Sequence, residues 1–483
     1  MPSQNMQSQK QILEMICSHL EKIKPEAVGI GPDTDLIQEL GLESLQVMDL
    51  VMELEDEFDL SVPLNRLADV HTPAQRRNAS LRCWSRPMAL FDKFNKIAED
   101  RAALVQTSPS PFGTRIDEIY SPTEGRIGEH RVILAGTNNY LGLTFDPDCI
   151  AAARQALAEE GTGTTGSRMA NGTYGSHWAL EEELAAYLGK QSAIVFSTGY
   201  LANLGTIGTL AGPGDTVLLD ADCHASIYDA CRLSGAQVIR FRHNDVADME
   251  KRLRRLGEQT QNTLIVVEGI YSMLGDQAPL AEIVEVKRRL GGFLVVDEAH
   301  SVGVLGANGR GLAEAAGVEA EVDLLVGTFS KSLGAIGGFA VSGHPELDIL
   351  RYASRPYIFT ASQSPASIAS VRTALQLMAS RPGLRDQLWR NAERLYAGLA
   401  DLGYQLGPQA SPVVAVLLGT APEGVAFWHG LIEQGVYANL VLPPASPDGQ
   451  ALVRVSVSAA HSLEQIEQII MAFARLKQET VSG

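Results

Sequence analysis

Two stretches of the chain hold residues able to do covalent chemistry. GTFSKSLGAIGG (Gly327–Gly338) places Lys331 among two hydroxyls, Thr328 and Ser330, and a run of small residues. The preceding VDLLVG (Val322–Gly327) is mostly apolar and of strand length, so the lysine falls where a buried strand opens into a loop. Most lysines stay at the surface, but one kept partly neutral is a covalent amine nucleophile. FLVVDEAH (Phe293–His300) is a second buried strand, and it ends in Asp297 and His300. A lysine to form a Schiff base and an aspartate to pair a pyridinium nitrogen are the two protein groups that pyridoxal phosphate requires.

The elements around them follow one rule. SAIVFSTGYLANLG (Ser192–Gly205) reads as strand, turn and helix, and backbone N–H groups at such a helix start make an anion site. TVLLDADCHASIYD (Thr216–Asp229) repeats the pattern with His224 in its loop, and TLIVVEGIYSMLGD gives another buried strand. Apolar runs alternating with helical segments mean an α/β sandwich with a mainly parallel sheet, whose sites collect at strand C-terminal ends. All the candidate groups sit at such ends.

In chain order, NNYLGL, STGYLANL, DADCHASIYD, VEGIYSMLGD, DEAH, GTFSK and RPYIFTAS resemble the motifs of the α-oxoamine synthases, fold-type I pyridoxal-phosphate enzymes, and among them the bacterial serine palmitoyltransferases. The resemblance covers roughly 119–474. It implies a mainly parallel seven-stranded sheet in a large catalytic domain (101–370, with an N-terminal arm) and a smaller α+β C-terminal domain (371–483). It assigns Thr198, Gly199 and Tyr200 to the cofactor phosphate, and His224 to the face of the pyridine ring, where it also handles a proton. Asp297 falls to the ring nitrogen, His300 to the phenolate oxygen with Ser272 nearby, and Lys331, after Thr328, to the Schiff base. Thr360, in RPYIFTAS, is expected to reach the phosphate site of a neighbouring subunit, which makes the active enzyme a homodimer. Asn138 is the matching asparagine near cofactor and substrate, and Ser167–His177 lines the acyl entrance. Arg454, in LVRVSVSAAH, is expected on a strand whose alternation buries one face and frees the guanidinium to grip a carboxylate.

The implied reaction is a decarboxylative condensation of an amino acid, serine first, with a long-chain acyl thioester, giving an α-amino ketone such as 3-ketosphinganine. Some bacterial serine palmitoyltransferases carry Arg just before a Pro-Pro pair near the substrate carboxylate, whereas here Leu442 precedes Pro443-Pro444. That departure keeps alanine or glycine open as the amino acid. A non-catalytic partner subunit is the other alternative, and retention of Lys331, Asp297, His224 and Arg454 argues against it.

Two motifs mislead. GTGTTG (Gly161–Gly166) satisfies G-x-G-x-x-G, but a helical run precedes it where a nucleotide fold needs a strand. DEAH resembles a helicase box, yet the chain contains no phosphate-loop sequence.

Residues 1–73 carry 14 acids against 4 bases, a net −10 of the chain's −18. This segment reads as a separate small helical domain (1–74). Leu45, Met48, Val51, Met52 and Leu54 stripe one helix face, and Asp49, Glu53, Glu55, Asp56 and Glu57 load the rest. Gly41-Leu42-Glu43-Ser44-Leu45 resembles the modification motif of acyl carrier proteins, with Glu where Asp is commoner. By that resemblance the domain has an all-α, four-helix fold and Ser44 bears 4′-phosphopantetheine, which brings in a phosphopantetheinyl transferase and an acyl-loading enzyme as partners. The plain alternative is a helix N-cap. Arg76, Arg77, Arg82 and Arg86 then crowd a stretch without acids. It is either a basic linker (75–100) lying on the carrier or a degenerate fourth helix.

Net charge argues against nucleic acid or an anionic membrane as a partner, beyond peripheral contact with lipid. Five cysteines without a CxxC pair suggest reduced thiols and no zinc, and no apolar run reaches spanning length, so a cytoplasmic protein is expected.

Overall fold

The computed structural model describes residues 110–443, 446 and 449–482, with Leu20 and short stretches at 90–95 and 97–99. The chain divides into two compact units, Met1–Gln106 and Thr107–Gly483. Ser44, the rest of the expected carrier domain apart from Leu20, and the basic stretch 76–86 lie outside the described residues. In the first unit Asp92–Phe94 forms a single 3-10 turn.

The second unit begins with β1 (Glu118–Ser121), β2 (Glu124–Ile127) and β3 (His130–Leu134), an antiparallel ribbon. Seven strands then build the central sheet: β4 (Ser192–Phe196), β5 (Thr216–Asp220), β6 (Gln237–Phe241), β7 (Thr263–Glu268), β8 (Phe293–Asp297), β9 (Leu324–Thr328) and β10 (Gly338–Ser342). Their spatial order is β4-β10-β9-β8-β7-β5-β6. Every residue of β5, β7 and β10 is buried, as expected for Val/Ile/Leu-rich strands covered on both faces. Helices Gly199–Leu210, Ala225–Ser234, Val246–Leu256 and Leu280–Leu290 provide the crossovers. Ile207 and Ile227 from two of them pack against Val217, Leu219, Val266 and Val295 of the sheet.

The sheet is mixed, not wholly parallel. Strand β10 runs antiparallel to both neighbours, β4 and β9. Only residues 329–337 separate β9 from β10, and a parallel return needs a crossover of roughly a dozen residues or more. The short return loop is the one that carries Lys331.

Three more strands, β11 (Val413–Gly419), β13 (Asn439–Val441) and β14 (Ala451–Ser456), form an antiparallel sheet in the order β11-β14-β13. Strand β12 (Val436–Tyr437) instead joins β3 in parallel, completing a sheet β1-β2-β3-β12. The chain after β3 is thereby stitched to the C-terminal part: Ser456 N donates to Ala135 O (2.7 Å), and Asn439 Nδ2 to Gly136 O (2.7 Å). Helix Pro365–Ser380 runs through the expected boundary at 370/371, and residues 107–483 form one unit. No helix among the described residues is long and apolar enough to cross a membrane.

Candidate active site

A cavity of about 270 Å³ opens at the C-terminal ends of β7, β8 and β9, against the start of helix Gly199–Leu210. It gathers Thr198, Gly199, Tyr200, His224, Asp297, His300, Thr328 and Lys331, eight of the residues singled out in the sequence.

Burial pushes the Lys331 amine down to about 8, against the pull of Asp297 and Glu268, and the nearby Arg454 cation lowers it further. Asp297 is buried at the end of β8, where its Oδ2 accepts from Asn203 Nδ2 (2.7 Å) and its Oδ1 from Ala299 N (2.9 Å). The same Asn203 amide donates to Ser226 Oγ (3.0 Å), which lies 2.7 Å from His224 Nδ1. Ser226 N also donates to that nitrogen (3.2 Å), so Nδ1 is an acceptor and the proton sits on Nε2. Desolvation lowers the His224 pKa, opposed by Asp297 and aided by Lys331, so the ring is held neutral.

A second chain of contacts crosses the site. Arg454 Nη2 donates to Asn138 Oδ1 (3.0 Å), Tyr140 Oη lies 3.4 Å from that oxygen, and the same hydroxyl is 2.6 Å from His300 Nδ1. Burial pushes the Tyr140 hydroxyl up to about 12, so it keeps its proton, and of its two contacts the shorter one, to His300 Nδ1, is the better acceptor for it. His300 falls well below the ordinary imidazole range, through burial first and then the Lys331 and Arg454 cations. A neutral His300 with Nδ1 as acceptor carries its hydrogen on Nε2.

Arg454 corrects one expectation. All six residues of β14 are buried, so the alternation of LVRVSVSAAH does not separate a wet face from a dry one. The guanidinium is buried too, and its Nε has no hydrogen-bond partner among the described residues. A buried cation without a carboxylate is costly, and an anionic ligand relieves that cost.

At the helix start, Thr198 Oγ1 accepts from Leu201 N (3.1 Å), and the N–H groups of Gly199 and Tyr200 precede the intrahelical ladder. A Cβ on Gly199 would stand 2.8 Å from Thr328 Cβ, so glycine is what lets the two loops meet. Tyr200 Oη hydrogen-bonds Asp229 instead of turning inward. An amine held near 8, a buried carboxylate, a neutral imidazole pair and free N–H groups at a helix start together fit pyridoxal phosphate.

Four expected residues do not line this cavity: Asn138 and Arg454, which connect to it through Tyr140 and His300, and Ser272 and Thr360. Ser272 lines a neighbouring cavity of about 380 Å³ that shares His224 with the first. Thr360 does not line the Lys331 cavity, and its expected place is the phosphate site of a neighbouring subunit; the adjacent Ala361 pairs with Ser167 and accepts a hydrogen bond from Ser197. Sequence reasoning passed over Asn203 and Glu268. Each had a signal: Asn203 is the amide of the helix GYLANLGTIGTL, one turn in, and Glu268 ends an all-buried strand. Glu268 sits in register with Asp297 and accepts the His224 N–H. Burial and then Asp297 raise its pKa well above the usual carboxylate range.

This sheet order, with a lysine of lowered pKa and an aspartate lining one cavity at adjacent strand ends, defines a pyridoxal-phosphate enzyme of fold-type I. The family model described as "Aminotransferase class I and II" matches residues 130–473, and that described as "Phosphopantetheine attachment site" matches 10–75. A serine palmitoyltransferase of Caulobacter vibrioides is 58% identical over 389 residues, 80% of this chain and 96% of the relative. The solved serine palmitoyltransferase of Sphingomonas wittichii is 50% identical with a TM-score of 0.79, covering 82% of this chain and 99% of its own. That of S. paucimobilis, solved with a bound PLP–myriocin adduct, is 45% identical at the same TM-score, covering 82% and 100%. The chain belongs to the aminotransferase class I and II family, in its serine palmitoyltransferase branch.

The lysine pKa yields a test. Only the free amine reacts with an aldehyde, so uptake of pyridoxal phosphate by cofactor-free protein should accelerate as pH rises through about 8 and then level off. Stopped-flow absorbance reads this rate. A midpoint near the unperturbed 10.5 would remove the burial argument. The sign for stability agrees: between the two values the unfolded chain binds a proton that the native one lacks, so cofactor-free protein gains stability as pH climbs.

Proposed function

We propose that the chain condenses L-serine with a long-chain acyl thioester, losing carbon dioxide, to give 3-ketosphinganine. The observation that carries this reading is the buried Arg454 guanidinium, without a partner at Nε among the described residues and connected through Asn138, Tyr140 and His300 to the cavity of Lys331 and Asp297, in a chain 58% identical to a serine palmitoyltransferase.

Bound pyridoxal phosphate supplies the electron sink for charge released at the amino-acid Cα. The protein does the rest. Arg454 binds the serine carboxylate through its Nη atoms, with Asn138 fixing the guanidinium plane. Asp297, oriented by Asn203, keeps the proton on the cofactor ring nitrogen, and His224 covers the ring face with its Nε2–H defined by Ser226. His300 donates from Nε2 to the phenolate oxygen, its tautomer set by Tyr140. The N–H groups of Gly199 and Tyr200 receive the phosphate, together with Thr198 and Thr328. The free Lys331 amine would take the Cα proton on Nζ, a role suited to a pKa of about 8. The active unit is a homodimer in which Thr360 reaches the phosphate site of a second copy. The exposed apolar side chains of Tyr352 and Phe359 near this segment support that assembly. Leu442 is buried and supplies no cation, so carboxylate recognition rests on Arg454.

The acyl donor is the chain's own carrier segment, with phosphopantetheine on Ser44. The match of residues 10–75 to a phosphopantetheine attachment model, fused to an enzyme whose substrate is an acyl thioester, supports this. Tethering gives an effective concentration of order millimolar when the linker spans the distance. Residues 75–100 serve as the linker between the carrier (1–74) and the catalytic unit that follows.

The amino-acid assignment is tested on Arg454. An ammonium cannot reproduce a bidentate contact, and charge-assisted bonds of this kind are worth about 1.5–3 kcal/mol. Arg454→Lys should therefore raise the serine dissociation constant about ten-fold or more, read from the spectral shift when serine is added. Wild-type carbon dioxide release should be fastest with serine. Equal or faster release with alanine or glycine would replace serine by that amino acid. Unchanged serine binding in the variant would move the carboxylate site.

The carrier assignment is tested on Ser44. Ser44→Ala should abolish turnover of carrier-bound acyl groups and leave cofactor spectra and serine binding intact. No mass gain on wild-type protein treated with a phosphopantetheinyl transferase, under conditions that modify a control carrier, would leave Ser44 as a helix cap.

A further inference from the structure

Behind His224, outside the Lys331 cavity, lies a dense cluster of titratable groups centred on His243. Its Nδ1 lies 2.8 Å from Asp220 Oδ1 and its Nε2 lies 2.6 Å from Asp276 Oδ2. Asp220 and Asp276 are buried. The next residue ties the same pair: Asn244 N donates to Asp220 Oδ2 (2.8 Å) and Asn244 Nδ2 to Asp276 Oδ2 (2.8 Å). The Tyr271 ring stands edge-on to the imidazole at 4.5 Å between centroids. Asp220, Asp222 and His243 are close enough to suggest a metal site. Both ring nitrogens are already committed to carboxylates, which leaves the imidazole no lone pair for a cation.

The clasp holds two loops that flank the active site. Asp220 ends β5, and its Oδ1 also accepts from Asp222 N (2.8 Å) while its carbonyl accepts from Cys223 N (3.3 Å). That turn delivers His224. Asp276 closes the loop after β7, its carbonyl accepting from Tyr271 N (2.8 Å). The two loops also meet at the cavity, where Glu268 accepts the His224 N–H. His243 itself does not line that cavity.

We propose that His243 is a positioning residue: by clasping Asp220 to Asp276 it fixes the 220–224 turn and so holds His224 in place over the cofactor. The inference rests on the reading of the cavity as a pyridoxal-phosphate site in which His224 touches the cofactor. Burial alone would push the His243 pKa down. The hydrogen bonds to Asp220 and Asp276 outweigh it and lift the value to about 10, so both contacts are charge-assisted at neutral pH. A clasp of this kind resists the sub-ångström drift that costs catalysis most, since misplacing a group by about 1 Å can cost roughly a hundred-fold in rate.

The test is a double-mutant cycle between His243→Asn and His224→Ala. It is read on the dissociation constant of pyridoxal phosphate from cofactor-free protein, on the visible circular dichroism of the bound cofactor, and on kcat/KM for serine. In the wild-type background His243→Asn should weaken cofactor binding several-fold, alter the dichroic band and lower kcat/KM by roughly ten- to a hundred-fold. In the His224→Ala background the same substitution should change none of these by more than about two-fold, because the residue it acts through is gone. Equal losses in both backgrounds, or none in either, overturn the proposal. If His243→Asn does not fold, Asp276→Asn, which keeps an acceptor and removes one charge, carries the same cycle. Failure of the underlying site reading shows separately, as wild-type protein that takes up no pyridoxal phosphate.

Discussion

The catalytic unit depends on placing charge where water is scarce. Asp297, Glu268 and Lys331 converge at the ends of three adjacent strands, β8, β7 and the loop after β9. Removing these groups from water costs several kcal/mol per ion unless partners compensate. The protein resolves that cost by unequal titration. Burial lowers Lys331 towards neutrality and raises Glu268 well above the carboxylate range, while two hydrogen bonds hold Asp297 in place. The result is an amine that is neutral part of the time at physiological pH, beside a fixed carboxylate.

Two polar chains then give the neutral imidazoles definite donors. His224, Ser226, Asn203 and Asp297 form one; His300, Tyr140, Asn138 and Arg454 form the other. In each, a residue from one strand end is oriented by a residue far away in sequence, and each fixes which ring nitrogen carries the proton. The second chain exists because β12 leaves the C-terminal sheet to pair with β3, which draws residues 135–140 against β14. The small domain is therefore part of the site.

Much of this was legible in the sequence, for a physical reason. Strands buried on both faces must be continuous apolar runs, and their ends must carry the polar groups, so Asp297, His224 and Lys331 stood out against their surroundings. The antiparallel β10 was not read, because the shortness of the 329–337 return matters only once its neighbours are known. The alternation around Arg454 misled: it signals one wet and one dry face, but every residue of β14 is buried. Ser272 follows Tyr271 in a loop whose direction is set by Asp276 and His243, contacts that no local pattern encodes. Asn203 and Glu268 were missed because a single amide or carboxylate in a mostly apolar segment is ambiguous until its partner is seen.

The central claim is that Lys331 is poised by burial, in the cavity that Asp297 and His224 also line, to bond covalently to pyridoxal phosphate. Borohydride reduction of the cofactor-loaded protein makes that bond permanent, and peptide mass spectrometry locates it. The account predicts the reduced cofactor mass on the peptide carrying Lys331 at near-stoichiometric yield. The label on a different lysine, or spread over several, would contradict it.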